Sequence, residues 1–262
     1  MRRVILDGDL SGIDRHTFDK GSSRHLAKVL RLGIGDLFSA MDGAGNTFEC
    51  RILDASPKAL VASLSPAAGA IVPDPAPGIP RIALVQALPK GQKFETILRQ
   101  AVEIGVSDVF PLQTRNCVAR EKDGLEKKTK LERRIKIIKE ALQQSGSSTQ
   151  TRIHQTSDIM ALPALLKDSC YGPEEALYLI FHEIPLAQAS LHEYCAQASG
   201  SVVVLVGPEG GFDPQETETL RELGFKPIHI SGTILRTETA AIFALATVKT
   251  LLLERKTWSL SN

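Results

Sequence analysis

Two rhythms of apolar and polar residues divide this chain. From residue 81 onward, unbroken apolar runs alternate with helical repeats. "RIALVQAL" (81–88) reads as a strand buried on both faces, and "KFETILRQAVEI" (93–104) as an amphipathic helix ending at Gly105. "VSDVF" (106–110) predicts a second strand, stopped by Pro111. Strand, helix and strand at this spacing predict a βαβ unit on a parallel sheet. Residues 125–144 place Leu131, Ile135, Ile138 and Leu142 at helical spacing, and "ALYLIF" (176–181) and "SVVVLV" (201–206) add two strands. "DPQETETLREL" (213–223) carries a full set of helix signals: Asp213 as cap, Pro214 at the first position, Glu216 to close a capping box, and Gly224 to end it. "KPIHI" (226–230) is the last strand. Residues 238–254 form the last helix, with Thr237 as its cap. Helices should therefore cover both faces of the sheet.

Before residue 65 the rhythm is shorter. "DLFSAMDG", "NTFECRILDAS" and "ALVASL" predict strands joined by tight turns. "SSRHLAKVLRL" predicts one helix, with Ser22 or Ser23 as cap and Gly33 just past its end. A small β-barrel carrying one helix results. Between the two rhythms, "SPAAGAIVPDPAPGIP" (65–80) holds five prolines and no apolar period. The expected division is a domain over 1–72, a proline-rich linker over 73–80 and an α/β domain over 81–262.

Of the 262 residues, 43% are hydrophobic and 23% charged, with a net charge of +1, which suits a globular protein with a sizeable core. No apolar run reaches membrane-spanning length, and "MRRVILDGDLSGID" is interrupted by Asp too early for a signal peptide. The expectation is a cytoplasmic protein with no membrane partner. Cys50, Cys117, Cys170 and Cys195 are scattered and form no CxxC pair, so the expectation is reduced, buried thiols with no disulfide framework and no metal. The small net charge conceals two basic clusters. One is the helix bearing Arg24, Lys28 and Arg31, a plausible phosphate-backbone reader. The other, "EKKTKLERRIKIIKE" (126–140), reads as a solvated helix face with Glu partners.

Candidate chemistry lies where strands run into turns. "SVVVLV" enters "GPEGGF" (207–212), and "KPIHI" enters Ser231-Gly232-Thr233 ahead of "ILRTETA". Ligands bind α/β sheets beyond the carboxyl ends of strands, and glycine lets a ligand approach the backbone there. The two turns could sit side by side and form one pocket. Neither is GxGxxG, and "LPKGQKF" is not GxxxxGK[ST], so dinucleotide and nucleoside-triphosphate readings lose their usual support.

"RHLAKVLRLGIGD", "ALPKGQKFETILRQAVEIGVSDVFPL", "EALQQSG", "LVGPEGGF" and "ILRTETAAIFAL" together resemble the SPOUT-class ribosomal RNA uridine-N3 methyltransferases, in the family's order and over nearly the whole chain. The resemblance implies a PUA-like N-terminal β-barrel and an α/β-knot domain with a deep trefoil knot. It implies a homodimer that methylates one uridine of small-subunit ribosomal RNA, within the assembled 30S subunit, using S-adenosylmethionine. Carried over, the donor would lie against Leu205, Gly207, Gly210, Ile230, Ser231, Gly232 and Leu235. Arg236 would face the reacting base, where positive charge can stabilise a uridine anion; the other reading pairs it with Glu209 or Glu238. Glu209 is either a base or an acceptor that organises its loop. Arg24, Lys28, Arg31, Lys90 and Arg115 are the candidate RNA contacts.

The chain departs from the family pattern in places. Ile230-Ser231-Gly232-Thr233 stands where Leu-Gly-x-Arg is usual, which displaces the glycine by one and removes an arginine. Ser147, Ser148 and Thr149 replace arginines, Gln143 a glutamate and Gln100 a lysine. These losses motivate the alternative of a non-catalytic RNA-binding or ribosome-assembly protein on the same fold. A third reading is an enzyme acting on a small nucleotide metabolite.

Overall fold

The computed structural model describes residues 3–6, 8–42, 46–67, 80–121, 125–145, 147, 149–182, 189–198, 200–230 and 232–254. It forms two compact units, Met1–Pro73 with Leu142–Ser148, and Asp74–Ala141 with Thr149–Asn262. Most of the expected linker lies outside the described residues.

The first unit is a curled sheet of five strands: β1 (Arg3–Ile5), β2 (Arg15–Thr17), β3 (Leu37–Met41), β4 (Thr47–Asp54) and β5 (Val61–Pro66), in the order β1-β3-β4-β5-β2. Period-two alternation is clear in β4, where Phe48, Cys50 and Ile52 turn inward and Glu49 and Arg51 outward. Burial, and secondarily the charge of Glu49, pushes the Cys50 thiol up to about 12. Cys117 and Cys195 are buried as expected, but Cys170 is exposed, at φ 62°.

The one helix, α1 (Lys20–Arg24), widens into a π-helical turn over His25–Val29. Its cap is Asp19, whose carboxylate accepts from the Gly21 and Ser22 backbone N–H groups. Ser23 cannot serve as cap because it is buried: its hydroxyl donates to the Phe18 carbonyl and accepts from the Leu60 N–H. Leu26 is the apolar anchor of this segment, while Arg24, Lys28 and Arg31 stay exposed.

The second unit is a seven-stranded parallel sheet of β6 (Ile82–Ala87), β7 (Asp108–Gln113), β8 (Arg152–Ile153), β9 (Ser157–Asp158), β10 (Ala176–His182), β11 (Ser201–Val206) and β12 (Lys226–His229). The order is β12-β10-β11-β6-β7-β8, with β9 also beside β7. The helices are α2 (Lys93–Ile104), α3 (Leu125–Ser145), α4 (Leu162–Asp168), α5 (Leu191–Gln197), α6 (Pro214–Glu222) and α7 (Thr237–Glu254). On one face α7 packs on α2, β6 and β11. On the other, Leu162 and Leu166 of α4 and Leu220 of α6 join Ala83, Val85, Val203 and Leu205 in a single core.

Three expectations change. Pro111 does not stop β7; it pairs opposite Gln86 within the strand. The Val109 carbonyl accepts from His154 N and the Leu112 carbonyl from Leu88 N, so odd positions of β7 face β8 and β9. β8 pairs with Asp108 and Val109 and β9 with Leu112 and Gln113, so Pro111 falls in the gap between them, where no donor is required. On α3, Ile135 is exposed and Arg134 is buried in its stead, with Ile137, Ile138, Ala141 and Leu142. Arg134 meets Glu121 and Thr156, and its guanidinium lies 4.3 Å from the centre of the Phe94 ring. Thr237 is the first residue of α7, and its hydroxyl donates to the Gly207 carbonyl rather than capping the helix. The signals around α6 held in full, with both hydrogen bonds of the capping box present.

Candidate active site

The carboxyl ends of β12, β10 and β11 lie side by side. A cavity of about 440 Å3 opens above them. Gly207–Glu209 with Gly211 and Phe212 after β11 wall one side and Ile230 with Gly232–Arg236 after β12 the other, while Phe181 and His182 at the end of β10 lie between. The two turns do share one pocket, although β10 separates their strands.

Glycine is favoured at two places here. A Cβ on Gly207 would meet carbons of the Phe212 ring at 3.0 and 3.3 Å. Gly232 has φ 102°, a conformation that side chains with a Cβ rarely adopt. The glycine displaced from the family pattern therefore sits where this backbone needs it. We expect Gly207→Ala to weaken ligand binding in this cavity by about tenfold, the cost of overpacking a fitted wall. Calorimetry against S-adenosylmethionine reads the effect, and an unchanged affinity would show that the wall is not part of the binding surface.

Glu209 is held in place. Its carboxylate accepts from Lys93 Nζ at 2.9 Å and from the Lys90 backbone N–H at 3.2 Å. Burial pushes its pKa up, but the hydrogen bonds from Lys93, from its own backbone N–H and from Lys90 outweigh that and hold it below the usual range. Lys93 Nζ also lies 3.3 Å from Glu238 at the start of α7, so one ammonium ties the glycine turn to the final helix. Both carboxylates that could have paired with Arg236 are thus taken by Lys93. Arg236 lines the cavity, is exposed, and makes no ion pair among the described residues.

Of the other expected donor contacts, Ile230 and Leu235 line the cavity. Leu205 does not: it is fully buried in the sheet core. Gly210 points away, its carbonyl accepting from Asn116 Nδ2 at 3.1 Å. Ser231 lies outside the described residues. Among the candidate RNA contacts, Lys90 is exposed within the turn between β6 and α2. Arg115 is engaged, donating to Asp213 at 3.0 Å and Gln215 at 2.8 Å. Arg24, Lys28 and Arg31 lie on the first unit and are not part of this cavity. Sequence reasoning passed over Lys93, Asn116 and Gln86, whose partners here lie 116, 94 and 151 residues away and carry no local signal. His182 and His229, paired across β10 and β12, also line the cavity.

Among the described residues no group of His, Cys, Asp and Glu could hold a metal, and no helix is long and apolar enough to cross a membrane.

The chain matches the RNA methyltransferase domain family over residues 77–249 and the RNA methyltransferase PUA domain family over residues 18–65. It is 31% identical to ribosomal RNA small subunit methyltransferase E of Mycobacterium bovis, over 86% of this chain and 82% of that protein. It is 30% identical to the Synechocystis protein of the same name, over 90% of this chain and 73% of that one. A crystal structure of a ribosomal RNA small subunit methyltransferase E from Neisseria gonorrhoeae, bound to S-adenosylmethionine, superposes with a TM-score of 0.78 at 26% identity, covering 96% of this chain and 98% of that one. A putative methyltransferase from Legionella pneumophila, also with S-adenosylmethionine, superposes with a TM-score of 0.76 at 25% identity, covering 95% and 96% of the two chains. With both domain families present in order on a mixed α/β architecture, this chain belongs to the SPOUT-class RNA methyltransferases of the ribosomal RNA small subunit methyltransferase E family.

Proposed function

We propose that this protein transfers a methyl group from S-adenosylmethionine to ring nitrogen 3 of one uridine in small-subunit ribosomal RNA. The observation that carries the reading is one cavity walled by both glycine-bearing turns, with the guanidinium of Arg236 at its edge and, among the described residues, no carboxylate paired to it. The donor supplies an electrophilic methyl on a sulfonium. The chain supplies position: Gly207, Ile230, Gly232 and Leu235 shape the donor's side, and in-line displacement needs donor and acceptor held near contact. The uridine nitrogen must lose a proton, and Arg236 stabilises the resulting anion. Glu209 organises the glycine turn. Its carboxylate is hydrogen-bonded and held below the usual range, so it is a weak base, and solvent takes the proton. The intact cavity favours this enzyme over a non-catalytic RNA-binding protein on the same fold. Purified protein, labelled S-adenosylmethionine and small subunits lacking the modification test it: label in the RNA is expected, and donor binding without transfer would contradict it.

Residues 1–72 serve in this reading as the RNA-recognition domain, 73–80 as linker and 81–262 as the catalytic domain. Arg24, Lys28 and Arg31 contact phosphates, joined by Lys90. Replacing the first three by Ala should lower the slope of log affinity against log salt by about 1 per lost contact, read by filter binding; an unchanged slope would remove them from the interface. Arg115 contributes through its hold on the start of α6. The substrate is the assembled 30S subunit, the location cytoplasmic, and the active form a homodimer. The dimer is supported by half-exposed Phe243 and Leu253 on the strongly apolar α7. Sedimentation at twice the chain mass is expected, and a monomer at micromolar concentration would contradict it.

A further inference from the structure

Strand β6 reads Ile-Ala-Leu-Val-Gln-Ala and is buried at every position. Gln86 is its one polar side chain and is fully buried. It lies on the face of the sheet that α7 covers. Its Nε2 donates to the Ala87 carbonyl at 2.9 Å and to Thr237 Oγ1 at 3.2 Å, and lies 3.5 Å from the carbonyls of Val206 and Gly207. Three carbonyls around one nitrogen fix the orientation of the amide. Thr237 in turn donates to the Gly207 carbonyl at 2.6 Å. Gln86, Thr237 and the Gly207 carbonyl therefore form one hydrogen-bonded chain, the first two as donors and the carbonyl as acceptor. It joins the end of β6, the turn after β11 and the first residue of α7, the last two on opposite walls of the cavity.

This arrangement does not serve stability well. The Gln86 Oε1 is buried and has no partner among the described residues. A buried amide oxygen without a partner is destabilising, and an apolar side chain of similar size would avoid that cost. A polar residue on this strand is explained by what its nitrogen holds.

We propose that Gln86 is a positioning residue for the cavity. It sets the Gly207 carbonyl and the start of α7, and through them the spacing of the two walls and the placement of Arg236, one residue before Thr237. The proposal rests on the reading that the cavity takes S-adenosylmethionine. It goes further in separating binding from folding: removing the amide should harm the ligand site without harming the fold.

The test compares full-length wild type, Gln86→Leu, Thr237→Val and Thr237→Ser by thermal unfolding and by calorimetry with S-adenosylmethionine. Gln86→Leu is expected to keep or raise Tm while Kd rises roughly tenfold to a hundredfold, the scale of a small misplacement in a fitted site. Thr237→Val should weaken binding similarly. Thr237→Ser, which keeps the hydroxyl, should bind like wild type. Wild-type affinity in Gln86→Leu would overturn the proposal. So would weaker binding accompanied by a lowered Tm, because a merely structural hydrogen bond moves both readouts together. If Gln86→Leu is insoluble, the Thr237 pair decides: weak binding by Val and tight binding by Ser supports the proposal, and equal affinities overturn it. Wild-type protein that binds no donor would instead overturn the reading of the cavity, and this inference with it.

Discussion

Arg236→Ala is expected to lower kcat for methyl transfer by roughly 10²–10³, the cost of removing one preorganised charge from a developing anion. Its guanidinium is at the cavity edge, and the nearby carboxylates of Glu209 and Glu238 are both occupied by Lys93. The arginine thus has no structural partner to lose among the described residues. Tm should stay at the wild-type value, and the Kd for S-adenosylmethionine should change little, because the proposed role turns Arg236 to the acceptor rather than the donor. Arg236→Lys should recover only part of the rate, since an ammonium keeps the charge and lacks the planar fork. Single-turnover kinetics with small subunits separates chemistry from binding. A full rate in Arg236→Ala would assign the anion's stabilisation elsewhere.

Asp108→Asn is expected to destabilise the fold by about 3 kcal/mol, the lower end of the range for breaking a buried ion pair. Asp108 is fully buried at the start of β7, at the end of the sheet opposite the cavity. Its carboxylate accepts from Arg81 at 2.6 Å, Arg152 at 2.9 Å and the Tyr171 hydroxyl at 2.7 Å, and lies 2.8 Å from His154 Nε2. Arg152 is 59% exposed, so water compensates part of the loss. Burial alone would raise the Asp108 pKa, but hydrogen bonds from His154, Arg152 and Tyr171 hold it well below the carboxylate range. A depressed pKa stabilises the fold above the ordinary Asp value of about 4, and that contribution is lost progressively as pH falls below it. Denaturant unfolding should show wild-type stability falling with acid below about pH 4, and a shallower fall in Asp108→Asn. Equal stability of the two proteins at neutral pH would refute the role.

Much of the second unit was legible because its signals are local. The apolar run of β6, the helix closed by Gly105 and the capping box of α6 each lie within a dozen residues of sequence. Between 150 and 197 the apolar run of β10 was legible, but β8 and β9, at two residues each, and α4 and α5, at seven, are too short for a period to emerge. Pro111 and Ile135 misled for tertiary reasons. The ladder on one side of β7 is interrupted where the proline sits, and the buried face of α3 accepts Arg134 because Glu121 and Phe94 are there to meet it. At the site, the glycine turns and Arg236 could be named from sequence, since turn chemistry and the family pattern mark them. The tie from Gln86 to Thr237 spans 151 residues, and that from Lys93 to Glu209 spans 116, so only the fold shows them.

The most direct test of the central claim is nucleoside-level mass spectrometry of small-subunit ribosomal RNA. Unmodified subunits would be incubated with this protein and S-adenosylmethionine, with Arg236→Ala as control. The account predicts one 3-methyluridine per RNA with the wild-type protein and far less with the variant. Unmodified RNA despite a bound donor, or a methyl group on another base, would contradict it.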